Sequence, residues 1–242
     1  TTASGKPMTF ILDSDGDLVW WYQVPLSDTA SARMSYDGKR MGILPVNNSG
    51  TSGKMLVVTM DGLTVQTYDL PGATHDLTPT PEGGFAFIDF SGARQGGRQL
   101  FDNCGKIVEL SLDGTLEEIY DTADFFGGSG CHNNALRYSS TEDVYTIGDR
   151  NFSKILKVDR NGTLLWALNG SANGDFTGTC FSNQHDHQLL DDSILVFDNS
   201  TGMVREYTLD MDNMTATEIF KYGSDVSSII FGQRSSRVMG LL

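Results

Sequence analysis

Asn161-Gly162-Thr163-Leu164-Leu165-Trp166 is a turn dipeptide followed by a β-like run. An Asn-Gly or Asp-Gly pair takes up the positive φ angles of a tight hairpin, so a run on its far side reads as the returning strand. The same unit occurs at Asp15-Gly16 before Asp17-Leu18-Val19-Trp20-Trp21-Tyr22, at Asp61-Gly62 before Leu63–Tyr68 and at Asp113-Gly114 before Thr115–Tyr120. A degenerate copy has Asp212-Asn213 before Met214–Phe220. Turn glycines 16, 62, 114 and 162 are 46, 52 and 48 residues apart, and Asn213 follows after 51. A period near 50 that holds about four short strands marks a β-propeller blade. A β-sandwich has short strands too, but not one fixed hairpin at a fixed period. Helical periodicity is nearly absent. The expected fold is therefore all-β, a β-propeller of four-stranded blades forming a single domain over residues 1–242.

A second landmark runs in step with the first. The chain has four histidines. His75, His132 and His185 each open a short run that a turn joins to a second run ending in Asp: Gly84–Asp89, Val144–Asp149 and Ser193–Asp198. Their spacings are 57 and 53 residues. Ala30–Gly38 reads as the same element without histidine, and Ser235–Leu242 as its next copy. That last copy stops where a turn and a partner strand are due, and a propeller must close to hide its sheet edges. The expected ring is six-bladed, with its C-terminal part missing from this chain; a complete five-bladed ring is the competing reading.

Composition removes several classes of function. Lys plus Arg is 17 against 31 Asp plus Glu, a formal net charge of −14, so no nucleic-acid partner is expected. No apolar run approaches the roughly 18 residues of a membrane span. Residue 1 is Thr and no signal peptide is visible, so the chain reads as a processed or partial product. The glycine-rich loops Gly92–Arg98 and Gly127–Gly130 do not open helices as nucleotide-binding loops do, and no cofactor is expected. Cys104, Cys131 and Cys180 have no zinc-ligand spacing; one disulfide and one free thiol are expected, with Cys104 and Cys131 the candidate pair. Six Asn-x-Ser/Thr sequons, at Asn47, Asn151, Asn161, Asn169, Asn199 and Asn213, point to a secreted, glycosylated protein.

Residues that enter the innermost strands of a propeller at one phase point to one mouth of its channel. Three histidines at one phase allow two chemistries. They could bind a transition metal. Alternatively, one could act as a nucleophile while the others stabilise negative charge. Arg150, after Asp149, weighs towards an oxyanion such as sulfate or phosphate, because a guanidinium disfavours a nearby cation. Asn134, two residues after His132, shares its strand face and adds a neutral donor.

Gln184-His185-Asp186 with Ile194–Asn199, His132-x-Asn134, Asp149-Arg150 and His75-Asp76 together resemble the arylsulfotransferase family, over about Phe10 to Leu242. The resemblance implies a six-bladed propeller that moves a sulfuryl group from an aryl sulfate to a phenol without a nucleotide donor. It implies that His185 is the nucleophile and becomes sulfohistidine. It makes His132, Asn134 and Arg150 donors to the sulfuryl oxygens, and His75 a further histidine for substrate binding and proton transfer. Where the family often has two consecutive histidines, this chain has Thr74-His75. His187 shares the strand with His185 and stays a second candidate for nucleophile.

Two other readings stand beside this one. A non-catalytic secreted propeller would serve as a structural or recognition module with extracellular partners. A metal-dependent propeller hydrolase would recruit Asp76 and Asp186 as carboxylate ligands. Trp20, Trp21 and Trp166, which recur after the turns, are expected to pack between blades.

Overall fold

The computed structural model describes residues 7–25, 28–46, 53–91, 104–128, 130–170 and 174–223. Asn47, the loop 92–98 and the segment 235–242 lie outside the described residues. The chain gathers into two compact units, Thr1–Gly127 and Gly128–Leu242.

The first unit opens with the hairpin β1 (Met8–Leu12) and β2 (Leu18–Gln23). Two four-stranded meanders follow: β3 (Asp28–Met34), β4 (Arg40–Val46), β5 (Gly53–Thr59) and β6 (Val65–Leu70), then β7 (Ala73–Pro79), β8 (Phe85–Asp89), β9 (Lys106–Leu110) and β10 (Leu116–Asp121). A single helical turn, α1 (Ala123–Phe126), ends it. The second unit has the same plan: β11 (Asn133–Ser139), β12 (Val144–Asp149), β13 (Lys154–Asp159) and β14 (Leu164–Asn169), then β15 (His187–Leu189), β16 (Ser193–Asp198), β17 (Met203–Asp210) and β18 (Thr215–Gly223). Each strand pairs antiparallel with the next in sequence, which is the pattern of a propeller blade.

The Asp/Asn-Gly turns lie between the third and fourth strands of three of the four meanders, at Gly62, Gly114 and Gly162, and between β1 and β2 at Gly16; the degenerate Asp212-Asn213 takes that place between β17 and β18. All four glycines have φ between 72° and 91°, the left-handed region that costs glycine nothing. The β1–β2 hairpin thus carries the turn of an outer strand pair.

Burial falls from the inner strands to the outer. β12 and β16 are buried along their whole length, whereas β6 and β10 are largely exposed. In the first unit Leu44, Met55 and Val57 pack against Leu77, Phe85, Phe87 and Val108. In the second, Ile155, Trp166 and Leu168 pack against Ile194, Val196 and Tyr207. The close approach of facing sheets is visible at Gly42, where a Cβ would lie 2.6 Å from the Phe85 ring. Trp166 is buried, and Trp20 packs beside Met41 and Ile43 while donating its indole N–H to the Met60 carbonyl (2.9 Å). Trp21 departs from expectation: it is on the opposite face of β2 and is 55% exposed. Consecutive strand residues alternate faces, so both tryptophans cannot enter one core. Among the described residues, no helix is long and apolar enough to cross a membrane.

Candidate active site

The innermost strand of each sheet begins with a bulge. On β3 it falls between Thr29 and Ser31, on β7 between Thr74 and Leu77, and on β11 between Asn133 and Ala135. Ahead of β15, the His185 N–H donates to the Phe197 carbonyl and the Phe197 N–H donates to the Asp186 carbonyl, both at 3.1 Å, so two residues again oppose one. A bulge re-aims the side chains around it.

The partner strands give the register. Leu77 lies opposite Phe87, Leu136 opposite Ile147 and His187 opposite Val196, in each case two residues before the closing Asp89, Asp149 or Asp198. Two residues before these three come His75, Asn134 and His185. The histidine spacing alone puts His132 in the shared position. The register gives that position to Asn134, with His132 two residues earlier. The bulge on β7 holds two residues and that on β11 holds one, so equal spacing along the chain is not equal register.

In the second unit the loop that carries His185 is bound to the end of β12. Gln184 is fully buried, and its amide donates to the carbonyls of Asp149 (2.8 Å) and Lys154 (2.6 Å). The Asn134 amide donates to the Gln184 carbonyl (2.8 Å), immediately before His185. Asn183 donates its amide to the Arg150 carbonyl (3.2 Å), and its N–H goes to the Ser153 hydroxyl (3.0 Å). On the other side, the Arg150 N–H donates to the His132 carbonyl (2.9 Å) and the His132 N–H to the Asp149 carboxylate (2.6 Å). His132, Arg150 and His185 are all half-buried.

These bonds bring the loop of His185 to the segments that carry His132 and Arg150. Burial pushes the His132 imidazole down to a pKa of about 4, and the positive fields of Arg150 and His185 push the same way. His132 is therefore neutral near pH 7. Beneath it, burial raises the Asp149 carboxyl to a pKa of about 6, against the N–H groups of Phe152, His132 and Asn151, which lower it. An arginine, a neutral imidazole and a second imidazole in a partly dry setting make a receptor for an oxyanion.

His187 separates from His185. It is fully buried, and its Nε2 is 2.8 Å from the Thr146 hydroxyl on β12. Its ring packs closely on Gly148: a Cβ there would lie 3.2 Å from His187 Nδ1. His75 is in the first unit, half-buried in its bulge at φ 56°, with Nδ1 2.9 Å from the Thr74 hydroxyl and its ring edge-on to Phe90.

A family model of the arylsulfotransferases matches residues 1–237. The chain belongs to the arylsulfotransferase (ASST) family. No curated protein sequence matches it. Among solved structures, it is similar to a chain in the crystal structure of a nidogen/laminin complex, with TM-score 0.60, 12% identity, and coverage of 86% of this chain and 67% of that one. The β-propeller domain of Myceliophteria thermophila Cps50 (Swd1) gives 0.58, 12%, 90% and 65% in the same order, and a streptogramin B lyase gives 0.58, 16%, 89% and 61%. At such identities the likeness concerns the fold, a β-propeller, and this chain spans about two thirds of each of those chains.

Sequence reasoning passed over the structural roles of Gln184 and Asp149 in this arylsulfotransferase-family chain. The signal for Asp149 is the Asp that closes β8, β12 and β16. Asp149 takes the N–H groups of His132 and Phe152, and Asp198 takes those of Ser182 and Ser200, so each staples the loop entering the inner strand to the exit of its neighbour. Cys104 and Cys131 are both disulfide-bonded and Cys180 is free, as expected. Of the sequons, Asn151, Asn161 and Asn213 are exposed. Asn169 and Asn199 are buried, and Asn169 takes the Lys154 ammonium (2.6 Å).

Proposed function

We propose that this chain is the site-bearing part of an enzyme that transfers a sulfuryl group from an aryl sulfate to a phenol, with no nucleotide donor. The observation that carries this reading is the loop of His185 bound against the segments of His132 and Arg150 at the end of β12, with His132 held neutral chiefly by burial. A ring nitrogen of His185 attacks sulfur, the N–S bond forms, the S–O(aryl) bond breaks and the phenolate leaves with the electron pair. A second phenol gives its proton to solvent, its oxygen attacks sulfur, and the N–S bond breaks to restore neutral imidazole, while the released phenolate takes up a proton from solvent according to its own pKa. Arg150 and His132 meet the charge on the sulfuryl oxygens. Asn134 spends one amide N–H on the Gln184 carbonyl, which fits a second task of fixing the His185 backbone. Asp76 and Asp186, the carboxylates a metal site would need, are engaged by Arg33 and Arg137, which weighs against the metal-dependent reading. Among the described residues, no group of three or more His, Cys, Asp or Glu is gathered as metal ligands.

The test is release of nitrophenolate from 4-nitrophenyl sulfate in the presence of phenol, using the full-length protein, wild type and His185→Ala. Release that disappears in the variant supports the reading. No release from folded wild type overturns it for this donor and leaves the non-catalytic module. His75→Ala in the same assay measures the contribution that the family resemblance gives that residue. Secretion, with extracellular assembly partners, belongs to the same proposal. It is supported by the disulfide-bonded Cys104 and Cys131 and the three exposed sequons, and glycopeptide masses at Asn151, Asn161 and Asn213 check it.

A further inference from the structure

The histidine-aspartate pair occurs twice, once in each unit, and it is wired alike in both. In the first unit Asp76 follows His75, and its Oδ1 accepts from the Leu77 N–H (3.0 Å), the Ser31 hydroxyl (2.6 Å) and Arg33 Nη2 (3.4 Å). In the second unit Asp186 follows His185, and its Oδ1 accepts from the His187 N–H (2.9 Å) and from Arg137 Nη2 in an ion pair. Arg33 lies on β3 and Arg137 on β11, so in each unit the arginine comes from the inner strand of the preceding sheet. Arg137 is itself anchored, with Nη1 donating to the Leu136 carbonyl (2.6 Å).

This wiring holds a strained piece of backbone. Asp186 has φ 88°, outside the regions a side-chain-bearing residue prefers. The strained residue is the one that turns the chain between half-buried His185 and fully buried His187. Aspartate suits the place, because its short carboxylate can take the next N–H and so close the turn on itself. The guanidinium then ties that carboxylate to β11, the strand that also carries Asn134. The pair is neutral as a whole, so Asp186 does not cancel the positive field that Arg150 offers an oxyanion.

We infer that Arg137 and Asp186 are positioning residues for His185, their ion pair across the two inner strands fixing the bulge that presents its imidazole. The inference rests on the reading of His185 as nucleophile.

The test uses the full-length protein with Arg137→Met, Asp186→Asn and the double variant. Asparagine tolerates positive φ and still accepts the His187 N–H, so it removes the charge and keeps the turn. With 4-nitrophenyl sulfate and phenol, kcat falls about tenfold to a hundredfold in each single variant with KM little changed, and the double variant is no slower than the worse single one. The thermal midpoint moves by a few degrees at most. The ring Cε1–H signals of the four histidines of this chain are assigned by NMR from single His→Ala variants of the same protein. The His185 signal shifts in both single variants and the His75 signal does not. An unchanged kcat with an unchanged His185 signal overturns the inference. So does an equal shift of all four signals, which would make the pair a general prop of the fold. If wild type releases no nitrophenolate, the transfer reading fails by itself, and the His185 signal alone decides whether the ion pair positions the ring.

Discussion

Two histidines stand two residues apart, and the structure gives them different surroundings: His185 is half-buried and His187 fully buried. His187→Ala removes a fully buried imidazole and its bond to the Thr146 hydroxyl, which is itself only 2% exposed. Depriving that buried hydroxyl of its partner costs about 1–3 kcal/mol. The vacated volume borders Gly148, which has no side chain to fill it, and a cavity of imidazole size adds about 2 kcal/mol. The sum is about 3–5 kcal/mol, and at about 2–4 °C per kcal/mol for a chain of this size the thermal midpoint falls by about 6–20 °C. His185→Ala removes a half-buried ring at the mouth of a bulge, where substitutions cost less than about 1 kcal/mol. Thermal unfolding followed by circular dichroism gives both midpoints. Nitrophenolate release, measured at a temperature where both variants are folded, gives the activities. The expected outcome is a crossed pattern: His187→Ala is unstable and active, His185→Ala stable and inactive. A His187→Ala protein with the wild-type midpoint and no transfer would refute the reasoning, because the buried ring would then be the reactive one.

Three further outcomes follow from the same network. Gln184→Leu takes both amide donors from the carbonyls of Asp149 and Lys154, so stability falls by about 2–4 kcal/mol in denaturant titration, and transfer falls with it because the loop carrying His185 loses its seat. Gly148→Ala brings a methyl group to 3.2 Å from His187 Nδ1 and costs about 1–2 kcal/mol, and combined with His187→Ala it costs less than the two singles together, as double-mutant unfolding curves will tell. Asp149→Asn tests the buried carboxyl through pH. Its folded pKa of about 6 lies above the ordinary 3.8, so folding favours its protonated form; the penalty is absent below pH 3.8 and complete above pH 6. Relative to wild type, the asparagine variant therefore gains about 3 kcal/mol as pH rises across that window. His132 works the other way: its pKa of about 4 lies below the ordinary 6.5, so its contribution is complete above pH 6.5 and is lost as pH falls towards 4. Taking the difference between Asp149→Asn and wild type separates the two, provided both are titrated in the same salt.

The blades were legible because their signal is local. An Asp-Gly turn states its φ angles in two letters, and Gly16, Gly62, Gly114 and Gly162 all have the positive φ those letters demand. The backbone place of Arg150 was legible as well, since an Asp that ends a strand leaves the next residue at the strand's end. What the sequence hid was the bulges. Strict alternation puts residues two apart on one face, so His185 and His187 read as equivalent. The turn at Asp186 breaks the alternation, and one histidine meets Arg150 and His132 while the other sinks against Gly148. The same arithmetic misplaced His132. A bulge depends on how a strand is paired, which is a property of two segments, and no pattern within one segment records it. Its only trace in the sequence is a short polar residue able to bear a positive φ beside the histidine. In this chain that trace is the Asp of His185-Asp186, and the Arg137 that holds it is 49 residues away. On the proposed reading, His185 and the residues that aim it are joined through the pairing of inner strands, and Arg137, with no motif of its own, is reached only through that pairing.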